Sequence, residues 1–424
     1  MRRIGSNPLA LWSAFFLVHL WLGAINLYGP GLPLGDVTIV YKFWSDQVFI
    51  GDFWVGVQST WVYPILAIFP MILAGLLGSA KYAGAWLTLI LLLDAVAFAV
   101  LIGLKRRSKN PVAAWWWLLF LLLLGPIAMG RIDSVTVPLG IVGVLFIATR
   151  PRLAAVILTI AAWVKVWPAA LVGAMVVATK ERLAVAVTAL GVSAVVVAVA
   201  LAFGSGTNVF SFITMQTGRG LQVESPISTV WLWMAFAGVP GTNLYYDTHI
   251  LTWQVTGDGV GVAGALMTPI MALAVIAIVL VAVLAVRRGA SLQIVMAPLA
   301  LALVCALIAF NKVGSPQFIA WLAVPIVLGL VTRRDASLRW WSVPTILASL
   351  AAALTQVVYP YLYGWLLGLH PYLLAALTAR NLLVFVLMGW AVVALWSLGR
   401  EDSDATVPDR ASSTPTAWPL TTSG

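Results

Sequence analysis

Asp36 is the first residue of this chain whose surroundings suit chemistry. It stands in Gly35-Asp36-Val37-Thr38-Ile39-Val40-Tyr41, just after a long apolar run. Only 9% of the residues are charged, so a carboxylate away from the basic clusters needs a reason. In a short loop at a lipid–water boundary it could take a proton from a hydroxyl. The plain alternative is a solvated loop acid. Other charged residues also fall away from the basic clusters, among them Arg131, Asp133, Lys165, Arg219, Glu224, Lys312 and Arg380. Lys165 and Arg380 lie within apolar runs, where a cation marks a pathway or a bound anion. A lysine there can also snorkel to the interface. Arg131 and Asp133 are close enough in sequence to form a local ion pair. His19 and Asp94 lie inside apolar runs with no sequence partner and read as hydrogen-bonding to neighbouring helices.

One carboxylate and several cations suffice for one kind of reaction. A phosphate is already a good leaving group and needs cations, not a general acid, to hold its developing charge. The hydroxyl that attacks needs one base. A single in-line displacement on a sugar inverts the anomeric centre. The chain has no His-x-x-x-His, no cysteine cluster and no glycine-rich phosphate loop. No cofactor and no metal are expected, although Asp133 could contribute to a metal site. The single cysteine, Cys305, sits in an apolar run and excludes an intrachain disulfide.

These residues must be positioned by membrane helices. The chain of 424 residues is 62% hydrophobic, against about 45–50% in soluble domains. Apolar runs of span length recur throughout, and alternating barrel-type segments do not. The fold class expected is all-α and polytopic. The net charge of +10 comes from Arg and Lys in short loops, the mark of cytoplasmic connections rather than of nucleic-acid binding. The basic clusters are Arg2-Arg3, Lys105-Arg106-Arg107-Ser108-Lys109, Arg150-Pro151-Arg152, Lys180-Glu181-Arg182, Arg287-Arg288, Arg333-Arg334 with Arg339, and Arg400.

Placing all of them inside predicts about twelve crossings with both termini cytoplasmic. The spans run over Leu9–Leu27, which reads as an uncleaved first helix, then Tyr82–Leu104, Val112–Met129 and Ser134–Ala148. Two short helices follow, breaking at Lys165-Val166-Trp167-Pro168. The remaining spans are Leu183–Phe203, Val262–Val286, Leu292–Phe310, Phe318–Val331, Trp340–Val358 and Tyr372–Leu398. Trp61–Gly78 and Ile227–Ala237 do not fit this parity and read as helices that dip into the outer leaflet. Backbone at that depth survives only against protein or a water-filled cavity, so a cavity facing outward is expected. Residues 1–398 form one transmembrane domain. Residues 399–424, rich in Ser, Thr, Asp and Pro, read as a disordered cytosolic tail.

Four segments carry a family resemblance. They are the Asp36-x-x-x-x-Tyr41 loop, Trp61-Val62-Tyr63-Pro64, Ala162-Trp163-Val164-Lys165-Val166-Trp167-Pro168, and Asn311-Lys312-Val313-Gly314-Ser315-Pro316-Gln317-Phe318 followed by Trp321. In this order the chain resembles the GT-C superfamily of polytopic glycosyltransferases. Within it the chain looks like the polyprenyl-phosphate-mannose-dependent alpha-(1→2)-mannosyltransferases of actinobacterial envelopes, including the phosphatidylinositol mannoside branch.

The resemblance implies that Asp36 is the general base, in a cavity open to the extracytoplasmic side of the plasma membrane. Tyr41, Tyr63, Arg131, Asp133, Lys165, Arg219, Glu224, Lys312 and Gln317 are the expected substrate-binding residues. The expected partners are a polyprenyl-phosphate-sugar donor and a lipid-linked glycan acceptor. Gln317 stands where some relatives carry His, Gly130-Arg131-Ile132-Asp133 where many have Gly-Gln-Asn, and Ile65 where many have a second Pro. Arabinofuranosyl-transferring relatives share the frame, and a transporter or flippase of lipid-linked sugars is the alternative from another class.

Overall fold

The computed structural model describes residues 5–103, 108–216, 218–332 and 340–398. Most of the basic cluster at 105–109, Arg2-Arg3, and residues 333–339 and 399–424 lie outside the described residues. The helices are α1 Pro8–Tyr28, α2 Lys42–Ile50, α3 Ile68–Gly75, α4 Tyr82–Ile102, α5 Pro111–Leu124 and α6 Asp133–Phe146. They continue with α7 Pro151–Val164, α8 Ala169–Ala178, α9 Arg182–Ala202, α10 Ser211–Thr214, α11 Thr229–Phe236 and α12 Val260–Arg287. The last are α13 Leu292–Ala309, α14 Ala323–Thr332, α15 Ser342–Val358, α16 Tyr363–Leu367 and α17 Pro371–Ser397.

Proline opens α1, α5, α7 and α17 in the first turn, where its missing N–H costs nothing and its fixed φ suits the helix. Asn7 caps α1, its side chain accepting from the Leu9 N–H at 3.0 Å.

Among the described residues six helical stretches are long and apolar enough to cross a membrane: Pro8–Tyr28, Ser79–Ile102, Pro111–Ala128, Arg182–Ala202, Val260–Arg287 and Pro371–Ser397. Burial divides the helices into two kinds. The whole of α13 from Val295 to Ala306 is buried, as is most of α6 and α14. By contrast α9 buries only Val185 and Ala200 and leaves Leu183 and Leu190 at 75% and 70% exposure. A helix apolar all round with a bare outer face is solvated by lipid, since a soluble protein does not leave so much contiguous apolar surface open.

The helix break read from Lys165-Val166-Trp167-Pro168 is present. α7 ends at Val164, Lys165 is extended, and α8 begins after Pro168. At ~1.5 Å per residue the halves reach roughly 21 and 15 Å, each short of the ~30 Å hydrocarbon layer. The Trp61–Gly78 stretch also stays short. It is helical only over a 3-10 turn at Ile65–Ala67 and α3, which ends at Gly75; Gly78, at φ +86°, follows a further turn. The other short apolar stretch holds α11.

One element departs from an all-helical reading. β1 Asn243–Asp247 and β2 Thr252–Thr256 pair antiparallel, with Tyr245 opposite Gln254. Residues Leu221–Val223 extend along the far edge of β2, through Val255 N–H to Leu221 O and Val223 N–H to Trp253 O, both 3.0 Å. Gln222 N–H in turn donates to Lys312 O at 3.1 Å.

The connections gather at the two ends of the bundle. At one end, the loop after α1 touches the loop after α5 and that after α15. The loop after α9 touches the stretch before α3 and the loop after α13. At the other end, Ser6 O accepts from Ser108 N–H, and Gly5 O from the Trp115 indole.

Candidate active site

The first end of the bundle holds nearly every residue singled out in the sequence. Asp36 opens a wide π-helical turn, Asp36–Tyr41, that leads into α2. Such i→i+5 turns are frequent at functional sites. The Asp36 side chain is 43% exposed, and its Oδ2 meets Arg131 Nε at 3.1 Å. Among the described residues no hydrogen bond reaches its other oxygen.

Arg131 is buried at 5% side-chain exposure, and its donors are spent on protein. Nη1 donates to Pro33 O at 2.9 Å and Gly130 O at 2.7 Å, and Nη2 donates to the Tyr359 phenol. Arg131 and Asp133 therefore do not pair with each other. Arg131 reaches the Asp36 loop, and Asp133 turns to Lys165. Burial alone would lower the Arg131 pKa; the neighbouring Asp36, Tyr359 and Tyr41 outweigh it and raise it. This guanidinium orients Asp36, with its Nη1 and Nη2 donors spent on protein oxygens.

Two further contacts fix the loop. Tyr41 is buried at 1%, and its oxygen accepts from Ile132 N–H at 3.2 Å. Gly31, at φ +82°, lies so close to Pro360 that a Cβ would stand 2.7 Å from that residue's carbonyl oxygen. Glycine is required there on both counts.

Lys165 projects from the break between α7 and α8. Its Nζ lies 3.6 Å from Asp133 Oδ2, 4.7 Å from the Tyr63 ring centre and 5.7 Å from the Phe318 ring centre. The ammonium makes no hydrogen bond among the described residues. It is held by a long ion pair and two aromatic faces, with its three donors uncommitted.

Asp133 is rigidly framed. Its Oδ1 accepts from the Trp321 indole at 2.7 Å, and Trp321 stacks on Trp167 at 5.5 Å and 11°. The Trp167 indole donates to Thr136 Oγ1 at 2.9 Å, and that hydroxyl donates to Asp133 O at 3.0 Å. The circuit ties α6, the helix break and the 3-10 turn Pro316–Leu322 together. With one oxygen on Trp321 and the other facing Lys165, Asp133 serves the lysine. Among the described residues no three His, Cys, Asp or Glu side chains come together as a metal would need.

Tyr63 stands between the two parts. Its ring meets Tyr41 at 6.4 Å and Trp44 at 6.1 Å, both edge-on. Arg219 lies within its electrostatic reach. Burial lowers the Arg219 pKa, with Tyr63 opposing, and the buried Arg219 Nε has no hydrogen-bond partner. Lys312 is lowered by burial and then by Arg219. Two cations thus crowd each other on the loops after α9 and α13.

Gly314 lets these loops close. A Cβ there would collide with the backbone of Glu224 and Ser225. Glu224 itself is engaged away from this cluster. Its Oε2 accepts from Arg380 Nη1 at 2.6 Å and its carbonyl from Nη2 at 2.7 Å. Burial raises its pKa and Arg380 opposes the rise. The pair fastens the 220–228 loop to α17. Gln317, buried at 6%, leaves its Oε1 without a hydrogen-bond partner.

Tyr359, which grips Arg131 from the far side, is absent from the sequence-based set. An isolated tyrosine after a span carries no signal of such a role; only its approach to an arginine 228 positions away reveals it.

Compared with protein families, with characterised proteins and with solved structures, the chain matches nothing.

Proposed function

We propose that this chain is an inverting glycosyltransferase with a GT-C-like membrane fold. It moves a sugar, mannose first among the candidates, from a polyprenyl-phosphate donor to a lipid-linked glycan acceptor such as a phosphatidylinositol mannoside or lipomannan. The observation that carries the reading is the pairing of unlike groups at one end of the bundle. Asp36 is a half-exposed carboxylate with a free oxygen, clamped by a buried arginine. On the other side of Tyr63 stands Lys165, with uncommitted donors, and Arg219 and Lys312 crowd nearby.

The step follows from that division. The free oxygen of Asp36 takes the proton of an acceptor hydroxyl as its oxygen bonds to the anomeric carbon. The bond from that carbon to the phosphate oxygen breaks, and the electron pair leaves with polyprenyl phosphate. Lys165 and Arg219 stabilise the charge that gathers there. Tyr63 and Gln317 border the sugar.

The loops that meet around Asp36 follow α1, α5, α9, α13 and α15. Each is an exit loop in the twelve-span reading with basic connections inside. Their meeting supports that parity, with both termini cytoplasmic and the site on the outer face of the plasma membrane. The test is transfer from radiolabelled polyprenyl-phosphate-mannose in membranes carrying the wild-type chain or Asp36→Asn. Transfer by the first and none by the second is expected. Transfer only from a polyprenyl-phosphate-arabinofuranose donor would change the sugar. Lipid translocation that survives Asp36→Asn would sink the enzyme reading in favour of a flippase.

A further inference from the structure

Arg131 places a second hydroxyl group beside the base. The Nε–H and one Nη2–H of a guanidinium point the same way from one edge of its plane. On Arg131 those two nitrogens face different residues: Asp36 Oδ2 stands 3.1 Å from Nε as an ion pair, and Nη2 donates to the Tyr359 phenol. The carboxylate and the phenol therefore contact neighbouring nitrogens of one guanidinium. Tyr359 accepts from Arg131, so its own proton must be given elsewhere. Among the described residues it has no acceptor.

Tyr359 is only partly buried and follows α15 at the same end of the bundle as Asp36. Burial, foremost, raises its pKa, so it remains a phenol and a donor. A hydroxyl that accepts from a cation is polarised and donates more strongly.

We propose that Tyr359 donates this proton in a hydrogen bond to the acceptor's hydroxyl next to the one that Asp36 deprotonates. The acceptor class selected is thus a vicinal diol. The inference rests on the glycosyl-transfer reading above. In an inverting displacement the base and the leaving phosphate stand on opposite faces of the sugar. A group on the base's own arginine fork therefore meets the acceptor and not the phosphate. The oxygens of Asp36 and Tyr359, both held against one guanidinium, would serve two neighbouring hydroxyls, one attacking and one held.

The experiment uses the full chain in membranes with radiolabelled polyprenyl-phosphate-mannose. The acceptor probes are octyl α-mannoside and its four monodeoxy analogues. Wild type should use one or two deoxy analogues, those lacking a hydroxyl next to the mannosylated position, roughly tenfold less well in kcat/KM, the worth of one hydrogen bond in a desolvated site. In Tyr359→Phe that discrimination should collapse to within about twofold, with the donor KM unchanged.

A uniform loss across all probes in Tyr359→Phe would overturn the inference, because Tyr359 would then only support Arg131. Equal use of every analogue that transfers in wild type would overturn it as well. If wild type transfers sugar to none of the probes and to no membrane acceptor, the glycosyl-transfer reading falls and takes this inference with it. That outcome is distinct from active transfer without discrimination.

Discussion

The two ends of the Asp36–Arg131 pair should respond differently to substitution. Asp36→Asn keeps the shape and still offers an oxygen to Arg131. It removes a charge that is 43% exposed, where water screens much of the loss, so the cost in stability should stay within about 1 kcal/mol. In the proposed transfer the chemical step loses its base, worth roughly 10²–10⁴-fold in rate.

Arg131→Lys keeps the charge but loses the fork. A single ammonium cannot serve Asp36, Pro33 O, Gly130 O and the Tyr359 phenol together. Stranding the two buried carbonyls costs about 1–3 kcal/mol each, so a stability loss of roughly 2–5 kcal/mol is expected, with activity falling as the Asp36 loop loosens. The assay is single-turnover transfer at saturating donor, with thermal unfolding in detergent on the same samples. Asp36→Asn retaining more than about a tenth of the wild-type rate would break the link between this carboxylate and proton abstraction. An Arg131→Lys melting curve that overlays wild type would show that the fork does not hold the loop.

Other measurements bear on the cations and the frame. Lys165→Gln should raise the donor KM or lower kcat by about 2 kcal/mol, roughly thirtyfold; unchanged kinetics in Gln variants of Lys165, Arg219 and Lys312 alike would remove the phosphate assignment. The depressed pKa of Lys312 means that it loses its charge at lower pH than an ordinary lysine near ~10.4. The donor KM should therefore climb at a lower pH than an ordinary lysine would set, and Lys312→Arg, which stays charged, should flatten that climb. Gly314→Ala should cost about 1–3 kcal/mol by overpacking against the Glu224–Ser225 backbone, read as a lower melting temperature. For topology, Lys109→Cys should label only from the cytoplasmic side and Thr60→Cys only from outside; both positions are exposed.

Much of this frame was open to reading from the chain itself, and the reason is local. The break at Lys165-Val166-Trp167-Pro168 follows from a proline after a helical run. The apolar runs give the helices, and the isolated charges mark the end of the bundle where they meet. What stayed hidden depends on distant contacts. Asp133 looked like a partner for Arg131 two positions away, yet the helix that begins at Asp133 turns it toward Lys165. Glu224 and Arg380 find each other across 156 positions. The β1–β2 hairpin escaped notice because its turn, Thr248–Leu251, carries no Asn-Gly or Asp-Gly signal and closes with Leu251 at φ +53°. Tyr359 had nothing beside it in sequence to draw attention.

The His19–Asp94 contact bears on how the chain is built into the bilayer. His19 Nδ1 stands 2.8 Å from Phe15 O, which can only accept, so Nδ1 carries a hydrogen. Nε2 then faces Asp94 Oδ2 at 3.0 Å, and one proton must lie between them, whichever atom holds it. As a pair the two groups carry no net charge. Apart, each would meet lipid alone, and an aspartate at the centre of a lone helix costs about 2.5–3.5 kcal/mol on insertion scales. His19 is made before Asp94, so its polar ring gains its partner only once α4 packs against α1, and the contact ties the first two long helices to each other.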